Sequence, residues 1–518
     1  MPRERLRRVL LTAVCALLVM QSATACAASS TDNGANQTNM PARKSAPTKA
    51  VTTPGVAQQP PSNLHGLGSK LPTRLPQSSG VGGTFFVDGT NGSESGTGSS
   101  THPWKTMTQA LELVPGAGSI IKVRPGTYTS NGTEYALVFH RNANVSDPIT
   151  LMAEQPGTVR IRNADLSRST LGAWIFHSTG LRVEGVGLLL TAEESNITVN
   201  SVLVEDSDRI EFTGNTFHQS GSFQVRGGKV SGDVAEDIWL YANIFRPSGD
   251  DVYAQSTGNS HLPNTYAGSK GSHYVYAGQV GDVDKGFDYV SGAERFVVAN
   301  NVFAGTAAGR HVELGPQARN SFVVNNTFYG NHAGGVIGWD TGAAYAGEGV
   351  VLYANTESSV PAANRNNTVT NNLFVELSGH AVYGSGPTQA GNLVQHNMSW
   401  AIENARGMNG AAHDDFAQLY GNSVLFGEGT GNREEVNPLL ADPIHFDFTL
   451  RAGSPAIGGA DPAYTPPQDN VGAARDGEPD LGALEQTSAP SGGGSESGGS
   501  KVTSGGGSPT SNAAGGNL

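Results

Sequence analysis

Cysteine is nearly absent from this chain of 518 residues: Cys15 and Cys26 are the two it has. Everything beyond Cys26 is therefore free of disulfides in any compartment, and no Cys/His spacing suited to zinc occurs. Charge is scarce too, at 15% of residues, and the balance is acidic, with a formal charge of −13. No basic patch interleaved with aromatics is present, which excludes a nucleic-acid partner. An acidic chain is also a poor electrostatic match for an acidic glycan, unless local cations or a bound metal reverse the sign. The apolar run Val9–Met20 is too short to span a bilayer. Neither a Ser-His-Asp order nor a phosphate-binding glycine loop is found.

What is abundant is glycine, 69 residues, about twice average usage, together with a recurring asparagine. The stretch Phe322-Val323-Val324-Asn325-Asn326-Thr327-Phe328 echoes Phe296-Val297-Val298-Ala299-Asn300-Asn301-Val302-Phe303 and Thr368-Val369-Thr370-Asn371-Asn372-Leu373-Phe374. Looser copies end in Asn215-Thr216-Phe217, Asn243-Ile244-Phe245 and His396-Asn397-Met398. From Asn215 through Asn243, Asn301, Asn326 and Asn372 to Asn397 the intervals are 28, 58, 25, 46 and 25 residues. The two long intervals imply a missing copy or an insertion. A short β run, an Asn pair and an apolar residue, repeated without a helical period, describe one coil of a parallel β-helix. Tight corners with left-handed residues account for the Gly and Asn usage. The Asn pairs read as corner residues stacked into ladders inside the coil, not as ligands.

Four organisational units follow. Residues 1–25 read as an export signal: Arg3, Arg5, Arg7 and Arg8 precede the apolar run, and small residues follow it. Residues 26–81, rich in Ala, Ser, Thr, Gln and Pro, read as a disordered linker. The solenoid occupies 82–486, and 487–518 is a Gly/Ser-rich disordered tail. Ordered structure is expected to begin with a strand at Phe85–Asp88. An amphipathic helix follows through Pro103 to Val114, whose Trp104, Met107, Leu111 and Val114 face covers the open first coil. The fold class expected is all-β, a right-handed parallel β-helix with a short N-terminal capping helix.

Two resemblances support this division. Ser22-Ala23-Thr24-Ala25-Cys26 resembles the bacterial lipoprotein signal, in which the Cys is lipidated and heads the mature protein; Ala23 stands where Leu is usual. Ordinary cleavage nearby would instead leave Cys26 as a lone exposed thiol. Pro103-Trp104-Lys105-Thr106, Val123-Arg124-Pro125-Gly126-Thr127-Tyr128 and Asn437-Pro438-Leu439 resemble segments of secreted right-handed parallel β-helix proteins of the pectate-lyase-like superfamily. Phe448-Thr449-Leu450, Gly453-Ser454-Pro455-Ala456-Ile457 and Pro479-Asp480-Leu481-Gly482-Ala483-Leu484-Glu485 extend the likeness to the C-terminal end. The resemblance is specific for fold and weak for function, because the superfamily holds uronan lyases, glycoside hydrolases, epimerases, phage spikes and adhesins.

The ladder supplies a register. Stepping back a fixed number of residues from Asn301, Asn326 and Asn397 gives Phe287, Val312 and Tyr383, an inward column that Ile337 joins. Alternation then turns Asp288, Glu313 and Gly338 outward on one side of it, and Gly286, His311 and Val336 on the other. Lys285 and Arg310 lie at the strand edge, and Asp340 faces out beyond Gly338. On this register Asp288 and Glu313 stack on one face, where they form either a carbohydrate site or an exposed ion-pair ladder with Lys285 and Arg310. Asp282, Asp284 and Asp288, at alternating spacing around a Gly, make calcium the candidate cation, although the rest of an EF-hand pattern is missing. The family resemblance implies a lyase chemistry in which Lys285 takes a proton and Arg310 neutralises a uronate carboxylate, with His311 beside them. The Asp-Asp and His-Gly signatures of polygalacturonases are missing from the ladder. His273, Tyr274 and Tyr276 either line a groove or pack, Gly249-Asp250-Asp251 reads as a loop turn, and His413-Asp414-Asp415 reads as the solvated face of a helical insertion. The expected partner is an extracellular polysaccharide, with membrane contact through the lipid anchor alone. The alternative is a non-catalytic glycan binder or structural surface protein, and the oligomeric state is open.

Overall fold

The computed structural model describes residues 66–129, 135–162, 171–185, 187–189, 200–218, 222–227, 234–246, 273–277, 292–304, 310–331, 338–339, 343–344, 348–353, 364–377, 380–385, 389–402, 424–425 and 431–486. Among these residues, strands assemble into three long parallel sheets of 13, 9 and 8 strands. One coil shows how they arise. Val297–Ala299 belongs to the first sheet, Val302–Ala304 to the second and Arg310–Leu314 to the third, and Phe322–Val324 then returns to the first sheet beside Val297–Ala299. The chain is a right-handed parallel β-helix, as its repeats predict.

The corner between the first and second sheets explains the repeat. Its first residue takes a left-handed backbone in coil after coil: Gly214, Ala242, Asn300, Asn325, Asn371 and His396 all have positive φ. Asn tolerates that conformation better than most residues with a side chain. Its second residue is the ladder Asn, which is fully buried. Asn243 donates to the Oδ1 of Asn301 at 3.0 Å, Asn301 to that of Asn326 at 3.0 Å, and Asn326 to that of Asn372 at 3.0 Å. Each also donates to a backbone carbonyl across the coil, as Asn301 does to Leu240 at 2.9 Å. Asn215 joins at one end of the series and Asn432, which the sequence pattern overlooks, at the other. The long intervals are insertions: no coil is missing between Asn243 and Asn301 or between Asn326 and Asn372.

Next to this ladder the core holds a file of stacked phenylalanines, Phe217, Phe245, Phe303, Phe328 and Phe374, with successive ring centroids 4.4, 4.6, 4.9 and 4.8 Å apart. Truncating any one to Ala is worth about 3–5 kcal/mol. The first coil is capped by the helix Met107–Leu113, whose N-cap Thr106 accepts from the backbone N–H of Gln109. Trp104, Met107, Ala110, Leu111 and Val114 join the main core cluster.

Both ends of the described chain fold back over the outside of the solenoid. Residues 66–81, assigned to the linker from composition, lie along the first sheet. Gly68 and Lys70 donate backbone N–H groups to Pro462 and Ala463, Arg74 reaches Glu211, and Ser78 reaches Thr150. The C-terminal segment packs Leu440, Phe448, Leu450 and Leu481 against Val302, Tyr329, Leu373 and Met398 on the second sheet's outer side. Tyr464 and Ala463 do the same over Trp239, Tyr241 and Val297 of the first.

Candidate functional site

Strand Arg310–Leu314 lies in the third sheet between His273–Ala277 and Glu348–Tyr353. Register sets His273 beside Arg310 and Tyr276 beside Glu313, so four residues singled out from the sequence meet on adjacent strands. The next coil places Glu348 beside Arg310 and Val351 beside Glu313, with Tyr383 following Val351. Three expectations are corrected by this register. Tyr276 holds the place beside Glu313 that the fixed back-step gave to Asp288. Val351 holds the place given to Gly338, which pairs instead with Ala344 in a short antiparallel hairpin. Tyr383 shares the column of Glu313, not that of Val312. The back-step fails because the number of residues between the third sheet and the next main strand of the first varies: positions 278–296 in one coil and 315–321 in the next.

His311 is a further correction. Expected to face outward, it is completely buried in the solenoid, its ring 5.8 Å from Phe303 and 5.6 Å from Phe328. Alternation starts one residue late in this sheet, so that Ala136 with Leu137, His311 with Val312 and Ala381 with Val382 all enter the core as consecutive pairs. Gly349 occupies the same column, and a Cβ there would collide with the Phe374 ring. Burial pushes the His311 pKa down from 6.5 to about 3, and the ring is neutral at ordinary pH. Glu313 alternates with the inward Val312 and Leu314 and so lies on the outer side, yet it is buried, as is Glu348. Lys285, Asp288, Asp340, the calcium candidates Asp282 and Asp284, and Cys26 lie outside the described residues. Among the described residues no group of three or more His, Cys, Asp or Glu side chains could hold a metal ion.

The early coils of the same sheet carry a cluster that the sequence reading missed. Trp174 and Phe176 alternate outward on strand Leu171–Phe176, with ring centroids 4.0 Å apart. Tyr135 packs on Trp174 at 4.9 Å and His140 on Phe176 at 4.1 Å, which makes a file of four half-buried or exposed rings. Trp174 Nε1 donates to Glu205 Oε2 at 3.3 Å, and Arg226 pairs with the same oxygen at 3.3 Å. At the sheet's edge the exposed His177 holds Asp206 at 2.5 Å. The sequence signal was present: in Trp174-Ile175-Phe176 two aromatics occupy alternate positions around a core Ile.

An ion-pair ladder does exist, but at the N-terminal edge of the first sheet's strands. Register stacks Asp208, Glu236 and Glu294 on successive coils. Arg295 answers Asp237 at 2.7 Å and Glu236 at 2.6 Å, and Arg319 answers Glu294 at 2.8 Å. Partial burial, and then the neighbouring Glu236, raise the Asp208 pKa.

Residues 179–356 match a family model described as right handed beta helix region, and residues 90–147 match one described as a protein of unknown function, DUF1565. Among solved structures, an alginate lyase from Paenibacillus sp. str. FPU-7 is 15% identical, with a TM-score of 0.40, over 62% of this chain and 96% of its own. Pectate lyase Pel9A is 14% identical, with a TM-score of 0.41, over 81% of this chain and 98% of its own. PfbA, a surface adhesin of Streptococcus pneumoniae, is 12% identical, with a TM-score of 0.31, over 56% of this chain and 66% of its own. No curated protein matches the chain. Strand pairing and the family match together define a right-handed parallel β-helix protein.

Proposed function

We propose that this protein binds an extracellular polysaccharide along the outer face of its third sheet, and that it is exported and held at the cell surface by a lipid on Cys26. One observation carries the reading. Among the described residues, the chain's own terminal segments pack on the outer faces of the first sheet and of the later strands of the second, whereas the third presents aromatic rings beside a carboxylate and a guanidinium. Solvent-facing aromatic clusters of this kind mark interaction surfaces, and rings with a few placed polar groups suit a ligand rich in both C–H and O–H. Affinity electrophoresis through gels containing neutral and acidic polysaccharides tests it: unretarded migration through every polymer would end the reading.

A second reading, a uronan lyase, is favoured by the meeting of His273 with Arg310 and of Tyr276 with Glu313. In it, Lys285 removes the C5 proton of a uronate. The electron pair forms the C4–C5 double bond as the C4–O bond breaks, and the departing oxygen takes up a proton. Arg310, or calcium held by Asp282, Asp284 and Asp288, would balance the carboxylate, and Asp340 would be a further substrate-binding carboxylate. Absorbance of the unsaturated product, followed with and without chelator, tests this chemistry.

A further inference from the structure

Each Asn pair at the corner between the first and second sheets divides its work. The second Asn enters the buried ladder, whereas the first turns its amide to the C-terminal segment. Asn371 accepts from the backbone N–H of Asp461 at 2.8 Å, and it donates to the Asp461 carbonyl and to Thr465 Oγ1, both at 3.0 Å. Asn325 donates to the Asp480 carbonyl at 3.1 Å. Asn300 donates to the Gln468 carbonyl and accepts from Arg475 at 3.1 Å. A left-handed corner needs no side chain, since Gly adopts it freely and Gly214 fills the same place in an early coil. The first Asn of each pair is therefore a docking residue as well as a corner residue.

The N-terminal segment is held in two parts. Residues 74–79 grip the solenoid itself, through Arg74 on Glu211, Ser78 on Thr150 and the Pro148 carbonyl, and Ser79 on Asp147. Among the described residues, the polar contacts of 68–71 outside their own turn go instead to the C-terminal segment. The N–H of Gly68 donates to the Pro462 carbonyl at 2.9 Å and that of Lys70 to the Ala463 carbonyl at 3.0 Å. Lys70 Nζ also reaches the Tyr464 hydroxyl at 3.4 Å and lies 5.0 Å from the centre of its ring. The dependence runs one way: the C-terminal segment has its own hold on the Asn column and on the second sheet, whereas 68–71 rest on Pro462, Ala463 and Tyr464.

We propose that the two ends form an ordered latch, in which the C-terminal segment docks on the Asn column first and residues 68–71 close over it last. The latch sets where the N-terminal region leaves the domain: beside the C-terminal segment when closed, and at Arg74, over the strand of Glu211, when open. It is independent of what the third sheet binds.

Hydrogen exchange of the full chain, read by mass spectrometry, tests the order. In the parent, 68–71 should exchange no more slowly than 461–465, because the lower layer opens only after the upper has left. Asn300→Gly with Asn371→Gly keeps the left-handed corners and removes the side chains that hold the C-terminal segment. In that variant 461–465 and 68–71 should both exchange about tenfold faster or more, while Val297–Ala299 and Val302–Ala304 keep the parent's protection. Lys70→Pro deletes a donor of the upper layer alone; it should free 68–71 and leave 461–465 protected. Should the double Asn variant fail to fold, the parent's order of exchange and Lys70→Pro still decide. The latch is overturned by exchange at 461–465 faster than at 68–71 in the parent, or by release of 461–465 in Lys70→Pro. It is equally overturned by an Asn variant in which either segment stays protected.

Discussion

Asn243 and Asn301 are 58 residues apart in the chain and adjacent in the fold, with the side-chain amide of the first donating to the side-chain oxygen of the second at 3.0 Å. The backbone N–H of Asn243 uses the same acceptor at 2.8 Å. Asn301→Ala therefore removes the acceptor of two buried donors and also takes one donor from the Leu240 carbonyl. Each unsatisfied group costs about 1–3 kcal/mol. A marked drop in the denaturant midpoint is expected, and Asn301→Asp should not rescue it, because a buried carboxylate cannot donate to Leu240. A midpoint within error of the parent would show that the ladder is not stabilising.

Arg74 should matter as much as any core residue, although it lies in the segment that reads as a linker. It shares the fully buried Glu211 with Arg182, whose own contact to Glu211 is 2.6 Å, and its guanidinium lies 3.4 Å from the centre of the Tyr241 ring. Removing one partner of a buried ion pair costs about 3–5 kcal/mol; here Arg182 remains, which favours the lower end. A double-mutant cycle of Arg74→Met with Glu211→Gln should show strong coupling, and additive effects would contradict the contact.

His311 predicts a pH dependence. Its folded pKa, about 3, is below the ordinary 6.5, so between those values the unfolded chain binds the extra proton. Its contribution is fully present above about pH 6.5 and is lost as pH falls toward 3, by about 1.4 kcal/mol per pH unit within that window. Asp88, lowered to about 2 by hydrogen bonds from Asn91, Thr90 and Arg124 that outweigh its desolvation, acts separately and at lower pH. Below about pH 6.5 the melting temperature of the parent should fall more steeply with decreasing pH than that of His311→Leu, and above pH 7 the two should run parallel; parallel curves throughout would refute the buried neutral ring.

Lys285→Ala separates the two readings of function. Proton transfer by a placed base is worth about 10²–10⁴ in rate, so on the lyase reading turnover of a uronan should vanish while the melting temperature holds. On the binding reading, neutral-glycan affinity should be unchanged. Cys26→Ser should in either case shift the protein from membrane to medium in a fractionation, without altering its thermal transition.

The coil was legible because its signal is local. A left-handed corner followed by a buried Asn needs a particular pair of residues in a particular order, and Asn300-Asn301, Asn325-Asn326 and Asn371-Asn372 state it directly. The capping helix was legible for the same reason. Neighbourhood across the third sheet was not, since it depends on how many residues each coil spends reaching the next corner. Tyr276 could not be placed beside Glu313 without the pairing itself. His311 misled because alternation begins one residue late at that strand, and residues 66–81 misled because an Arg and a few hydroxyls dock them, with little apolar patterning to announce it.

The antiparallel course of that N-terminal segment has a mechanical consequence. It makes its first backbone contacts at Pro462 and Ala463, passes Glu211 and reaches Asp147 and Thr150 only at Ser78 and Ser79. A pull on the residues before Gly68 is thus delivered first to the late coils, and the first coil is loaded only after each of those contacts has been stripped in turn. A surface protein held by its N-terminus in flowing medium would yield by peeling this segment, a few hydrogen bonds at a time, before the solenoid begins to unravel.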